Sequence, residues 1–106
     1  MWTNLLDNAI DAMQGHGVLR IRTYPAQDTR GSGSVVVEIG DTGTGIPAAI
    51  QDRIFDAFFT TKEPGQGSGL GLHIAYNIVV NRHRGEIAVQ SRPGETMFRV
   101  SLPVYI

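Results

Sequence analysis

Between Gly65 and Leu72 a glycine occupies every second position, in Gly65-Gln66-Gly67-Ser68-Gly69-Leu70-Gly71-Leu72, directly ahead of the apolar run Ile74-Ala75-Tyr76-Asn77-Ile78-Val79-Val80. Glycine lets the backbone take positive φ and come close to a ligand, and the first turn of a following helix offers unpaired N–H groups and a positive dipole end to an anion. The pattern fits a loop that handles a polyphosphate, but a glycine-rich stretch taken alone fits a surface loop equally well. Its neighbours decide.

Asn4, Asn8 and Asp11 stand at i, i+4 and i+7, on one polar face opposite an apolar stripe. Asparagine is a poor helix former, and two of them one turn apart point to a specific task as readily as to a solvated face. Asp41-Thr42-Gly43-Thr44-Gly45-Ile46-Pro47 follows the alternating run Val35, Val37, Ile39. A carboxylate at a strand end can accept a hydrogen bond from an exocyclic amine, and Gly43 and Gly45 let a flat ring reach the backbone; an ordinary Asp-x-Gly turn has the same look. In Ile54-Phe55-Asp56-Ala57-Phe58-Phe59-Thr60-Thr61-Lys62, three phenylalanines suited to a core precede the one basic side chain beside the glycine loop.

Other chemistries lack their patterns. No Gly-Lys-Ser/Thr makes a P-loop, the glycines do not match Gly-x-Gly-x-x-Gly, and no Gly-x-Ser-x-Gly elbow supports acyl transfer. His16, His73 and His83 show no metal-site spacing and read as surface or packing histidines. The regular oxygen ligands of a calcium loop are missing as well.

The elements that would position these groups follow from periodicity. Trp2, Leu5, Leu6, Ala9, Ile10 and Met13 predict a helix with one buried face, ended by Gly15 and Gly17. It starts almost at Met1, with Thr3 as its nearest cap, so the chain is expected to be cut from a longer protein inside a helix. Val18–Tyr24 and Ser34–Gly40 predict a hairpin, Pro47–Phe55 a short helix, Gly69–His83 a longer one stopped by Gly85, and Glu86–Ser91 with Thr96–Val104 a second strand pair around Arg92-Pro93-Gly94-Glu95. Strand pairs separated by helices suggest an α+β two-layer sandwich.

Composition sets the outer bounds. The 106 residues, 42% of them hydrophobic, fit one domain, and nine basic against ten acidic residues argue against nucleic acid or an anionic membrane as a partner. There is no cysteine, no run near the roughly 20 apolar residues of a membrane span, and no basic-then-apolar leader pattern.

Four motifs in fixed order carry a resemblance. Asn4-Leu5-Leu6-Asp7-Asn8-Ala9 resembles the N box, Asp41-Thr42-Gly43-Thr44-Gly45 the G1 box, Ile54–Lys62 the F box and Gly67-Ser68-Gly69-Leu70-Gly71-Leu72 the G2 box of sensor histidine kinases. Gly94-x-Thr96-x-Phe98-x-x-x-Leu102-Pro103 is similar to their final strand motif. Together they cover nearly the whole chain and resemble the ATP-binding catalytic domain, within the superfamily that includes gyrase, a heat-shock chaperone and mismatch-repair ATPases.

The resemblance implies a Bergerat-type α+β sandwich over residues 1–106, with a mixed, mostly antiparallel sheet, helices on one face and the first strand missing. It implies ATP and Mg²⁺ as ligands. Asn8 would coordinate Mg²⁺; Asp41 would read the adenine amine with Thr96 and the backbone of Gly43 and Gly45; Ile46 and Phe55 would lie at the nucleotide. Lys62, Gly67, Ser68, Gly69, Leu70, Gly71 and Leu72 would face the phosphates, with residues 63–68 as the tip of a movable lid. Asn4 stands where superfamily hydrolases carry a glutamate base, which favours phosphoryl transfer over hydrolysis. Asp11 replaces the basic residue of many family members.

No histidine here is followed by an acidic residue as in the family's acceptor motif, so the implied acceptor is a histidine on a separate dimerisation domain, with a response regulator downstream. The segment is expected in the cytoplasm, within a parent whose membrane anchoring the sequence leaves open. A serine-directed kinase of the anti-sigma-factor type and a non-catalytic ATP-binding switch are the alternatives.

Overall fold

The computed structural model describes residues 1–27, 31, 33–59 and 70–104. Helix α1 spans Trp2–Met13, β1 Leu19–Gln27, β2 Gly33–Asp41, α2 Gly71–Asn77, β3 Glu86–Arg92 and β4 Glu95–Pro103. The four strands form one sheet in the order β1-β2-β4-β3, and all three ladders are antiparallel. Both hairpins expected from the sequence form, and the long connection from β2 to β3, carrying α2, places β4 beside β2. This is the expected α+β sandwich.

Alternation sorts the sheet into two faces. Ile39, Phe98 and Val100 point to the helical side and form the core with Leu5, Ile54, Ala75 and Val79. The opposite face carries a polar cluster: Tyr24 Oη donates to Glu38 at 2.8 Å, Arg99 Nε donates to it at 3.1 Å and the Arg22 guanidinium stands 3.5 Å away. Three strands thus converge on one carboxylate, whose pKa lies below the usual glutamate range, chiefly through the Tyr24 hydrogen bond, with the two arginines assisting against the effect of burial.

Several expectations are corrected. Trp2 and Ile10, assigned to the buried stripe of α1, are 37% and 51% exposed, and Ile21 of β1 is 56% exposed. The helix lies over β2, burying Leu5 and Ala9, and leaves one of its flanks and the inner face of β1 uncovered among the described residues. Thr3 lies inside α1, not at its cap; Met1 holds the N-cap position and Gln14, in the left-handed region, ends the helix. β1 runs on through Pro25, Ala26 and Gln27, which the sequence assigned to a loop. The helix expected over Pro47–Phe55 is a single 3₁₀ turn, Ala48–Ile50, followed by further turns, because so short a segment cannot offset the cost of helix nucleation once its groups have tertiary partners. The helix expected over Gly69–His83 is α2 continued by a π turn at Ile78–Arg82, closed by His83 N–H to Ile78 O at 3.1 Å. Of the three phenylalanines, Phe55 and Phe59 pack on the core, whereas Phe58 is 73% exposed with a positive φ of 66°.

Candidate functional site

A cleft of 1130 Å³ opens between α1, the chain from Thr44 to Phe59, the start of α2 and the β3–β4 turn. The i, i+4, i+7 spacing on α1 delivers Asn4, Asn8 and Asp11 to one wall together, with Asp7 beside them. Gly45, Ile46, Gly71 and Leu72 line the same cleft. A methyl group placed on Gly71 would lie 3.8 Å from the Asn4 side chain, so α2 and α1 approach closely where the asparagine enters the cleft.

Asp41 ends β2 and is 3% exposed. Its Oδ1 accepts the Gly43 N–H at 2.9 Å, while Oδ2, buried as well, has no hydrogen-bond partner among the described residues. Burial pushes its pKa above the usual aspartate range, and the Gly43 hydrogen bond opposes the shift. A buried acceptor without a donor is costly unless a ligand supplies one. Asp41 and Thr96 border a second cavity of 580 Å³, which shares Ser91 and Arg92 with the first, so they stand at the partition between the two.

That partition is tightly cross-bonded. Thr96 Oγ1 lies 2.6 Å from Ser91 Oγ, Ser91 Oγ accepts the Ile46 N–H at 2.7 Å, and the Gln51 amide donates to Ile46 O at 2.8 Å and Ser91 O at 3.3 Å. Gly45 has φ +85°, and a Cβ there would sit 2.5 Å from the Arg92 carbonyl oxygen, so glycine is what lets this loop pass under the turn. Ser91 and Gln51 were not singled out from the sequence. Neither lies in a recognisable motif, and the bonds from Ser91 to Ile46 and from Gln51 to Ser91 join residues 45 and 40 apart, reachable only after the sheet has formed.

The structure therefore brings Asn4, Asn8, Gly45, Ile46, Gly71 and Leu72 to one cleft, whereas Asp41 and Thr96 line the second cavity and Gly43, bonded to Asp41, lines neither. Phe55 does not line it: the ring packs on Phe98 at 6.2 Å and Tyr76 at 5.6 Å, and its neighbours Ile54 and Phe59 reach the cleft instead. Leu70 is the N-cap of α2, its carbonyl accepting the Ile74 N–H at 2.8 Å. Lys62, Gly67, Ser68 and Gly69, with the rest of the lid tip, lie outside the described residues.

The donor set fits an adenine nucleotide with magnesium. The orphaned Asp41 oxygen suits an amine donor, and the side-chain oxygens of Asn8 and its neighbours are the hard ligands that Mg²⁺ takes one or two at a time, keeping waters and phosphate oxygens for the rest. The described residues hold no cluster of three His, Cys, Asp or Glu. No helix of the described residues is long and apolar enough to cross a membrane.

Residues 1–106 match the family of histidine kinase-, DNA gyrase B- and HSP90-like ATPases. Over 98% of its length the chain is 41% identical to the sensory histidine kinase/phosphatase NtrB of Rhodobacter capsulatus, of which it spans 31%. It resembles the solved catalytic domain of the histidine kinase ThkA, with a TM-score of 0.78 at 34% identity, covering 94% of this chain and 61% of that one. Against full-length ShkA in complex with AMPPNP the TM-score is 0.79 at 28% identity, over 96% of this chain and 20% of that one. With the motif order, the sheet topology and the cleft in agreement, the chain belongs to the histidine kinase-, gyrase B- and HSP90-like ATPases and corresponds to the catalytic domain of sensor histidine kinases.

Proposed function

We propose that the chain binds MgATP in the cleft and transfers the γ-phosphoryl group to a histidine on a separate dimerisation domain of its parent kinase, from which a response regulator draws phosphate. The observation that carries this is Asp41: a carboxylate buried to 3% exposure, one oxygen fixed by Gly43 and the other without a donor among the described residues, in a family of ATPases. The exocyclic amine of adenine is the missing donor. Thr96, Ser91 and Gln51 hold Ile46 and the Asp41 loop in place, so the base meets a preorganised edge.

Magnesium held at this site would supply neutralisation of phosphate charge during transfer. Asn8 contributes its amide oxygen to hold the ion, Asn4 stands beside it, and Lys62 and the backbone amides of Gly69, Leu70 and Gly71 take the phosphate oxygens. Asn4 is an amide with no basic lone pair to take a proton from water, so bound ATP survives until an acceptor imidazole arrives. Catalysis by this chain is then positioning plus charge stabilisation. ShkA's structure with AMPPNP supports the choice of an adenine nucleotide.

Two measurements test the proposal. Titration with ATP and GTP in magnesium is expected to favour ATP, since guanine presents a carbonyl where adenine donates; equal affinities would remove Asp41 from base recognition. An acceptor-helix fragment supplied with γ-labelled ATP is expected to gain acid-labile, alkali-stable phosphohistidine. Label on serine would point to the serine-directed alternative, and binding without any transfer to a non-catalytic switch.

A further inference from the structure

His73 is held at both ring nitrogens. Nδ1 lies 3.1 Å from the Phe55 carbonyl oxygen and Nε2 lies 3.1 Å from the Asn77 side-chain nitrogen, while the Asn81 amide donates to Asn77 Oδ1 at 2.8 Å. The series of bonds has one direction. Asn77 receives Asn81 on its oxygen and turns its NH₂ toward Nε2, which accepts; the ring proton therefore sits on Nδ1 and is donated to Phe55. Residues 73, 77 and 81 recur at every fourth position, so the relay runs along one flank of α2 and its π turn.

What the relay reaches is the segment whose Ile54 and Phe59 line the cleft. Phe55 belongs to the run of turns after the 3₁₀ segment, outside any strand ladder, and the chain beside it passes through the left-handed Phe58. That run sends Ile54 and Phe59 into the cleft, and α2 sends Gly71 and Leu72. Between these two walls the Phe55 ring makes apolar contacts with Tyr76 and Phe98, which are non-directional and tolerate sliding. The His73 bond, joining residues 18 apart, is directional and fixes the register.

We propose that His73 is a positioning residue for nucleotide binding: its Nδ1–H to Phe55 C=O bond, oriented by Asn77 and Asn81, sets the separation of the two walls that Ile54 and Phe59, and Gly71 and Leu72, present to the ligand. The proposal rests on the cleft being the ATP site. Position matters more than polarity here, which supplies the test. An asparagine at 73 carries its NH₂ where Nδ1 stands, whereas a glutamine carries it where Nε2 stands and leaves Phe55 unbonded.

In the full chain, with calorimetric titration of ADP in magnesium, His73→Asn is expected to bind like the wild type. His73→Gln and His73→Leu are expected to weaken binding by about fivefold or more, the equivalent of one hydrogen bond. Circular dichroism of each variant confirms folding, and the asparagine–glutamine contrast holds even if the leucine variant fails to fold. A folded His73→Gln that binds as well as His73→Asn would overturn the positioning role. Absence of ADP binding by the wild-type chain would instead overturn the ATP-site assignment, and this inference with it.

Discussion

Replacing Asp41 by asparagine is expected to move nucleotide affinity and stability in opposite directions. Asparagine keeps the shape and can still accept the Gly43 N–H on its oxygen, but it puts an NH₂ where the orphaned Oδ2 stands, opposed to the adenine amine that the proposed function brings there. One hydrogen bond to a charged acceptor is lost and replaced by two opposed donors. Such a bond is worth about 1.5–3 kcal/mol, so ATP affinity should fall by about 10- to 100-fold. Stability follows the carboxyl's proton. Burial raises its pKa in the folded chain, so its favourable contribution is full below the unfolded-state value and is lost as the pH climbs to the folded one. Once the carboxyl ionises, the wild type carries the cost of a buried charge that asparagine does not have. The unliganded variant should therefore melt no lower than the wild type at neutral pH, with its relative advantage shrinking on acidification. Calorimetric titration with ATP in magnesium and thermal melts across the acidic range measure both quantities. Unchanged ATP affinity in a folded variant would refute the assignment of Asp41 to adenine; lost affinity together with a large loss of stability at neutral pH would show a structural defect instead.

Three further outcomes follow from particular contacts. Asn8→Ala should abolish most of the gain in ATP affinity on adding magnesium while leaving the melting temperature close to the wild type, because Asn8 is a cleft-wall residue outside the buried core; an intact magnesium dependence in a titration would remove the metal assignment. Gly45→Ala should lower both stability and affinity, since its Cβ would press on the Arg92 carbonyl from a backbone at φ +85°, a strain of about 1–3 kcal/mol readable in a denaturant melt. Glu38→Gln should destabilise by on the order of 1 kcal/mol at neutral pH. Because the folded Glu38 pKa is lowered, its contribution is present above the ordinary glutamate value and lost as the pH falls through the folded value, so the difference between the two melts should vanish in strong acid.

Most of the architecture follows from local patterns along the chain. The period of α1 and the alternation of the four strands are local, and each of the motifs falls within a short stretch of chain, so helix, hairpins and the candidate ligand groups were legible without coordinates. The shared face of Asn4, Asn8 and Asp11 is a consequence of helical pitch alone, and the structure delivers all three to the cleft. What periodicity could not say is which apolar residues find cover. Trp2, Ile10 and Ile21 have the right spacing and remain exposed among the described residues because α1 lies over β2, a matter of where one layer lands on another. The turn around Ala48–Ile50 departs from the simple helix that local propensity suggests where Gln51 bonds to Ser91 across the fold, and the helix begun at Gly71 widens into a π turn at Ile78–Arg82. Bonding across the fold also hid Ser91, Gln51 and the anchoring bond of His73. Each acts through a partner distant in sequence or held by a turn, and a hydrogen bond depends on distance and angle that exist only once the sheet and helices have packed.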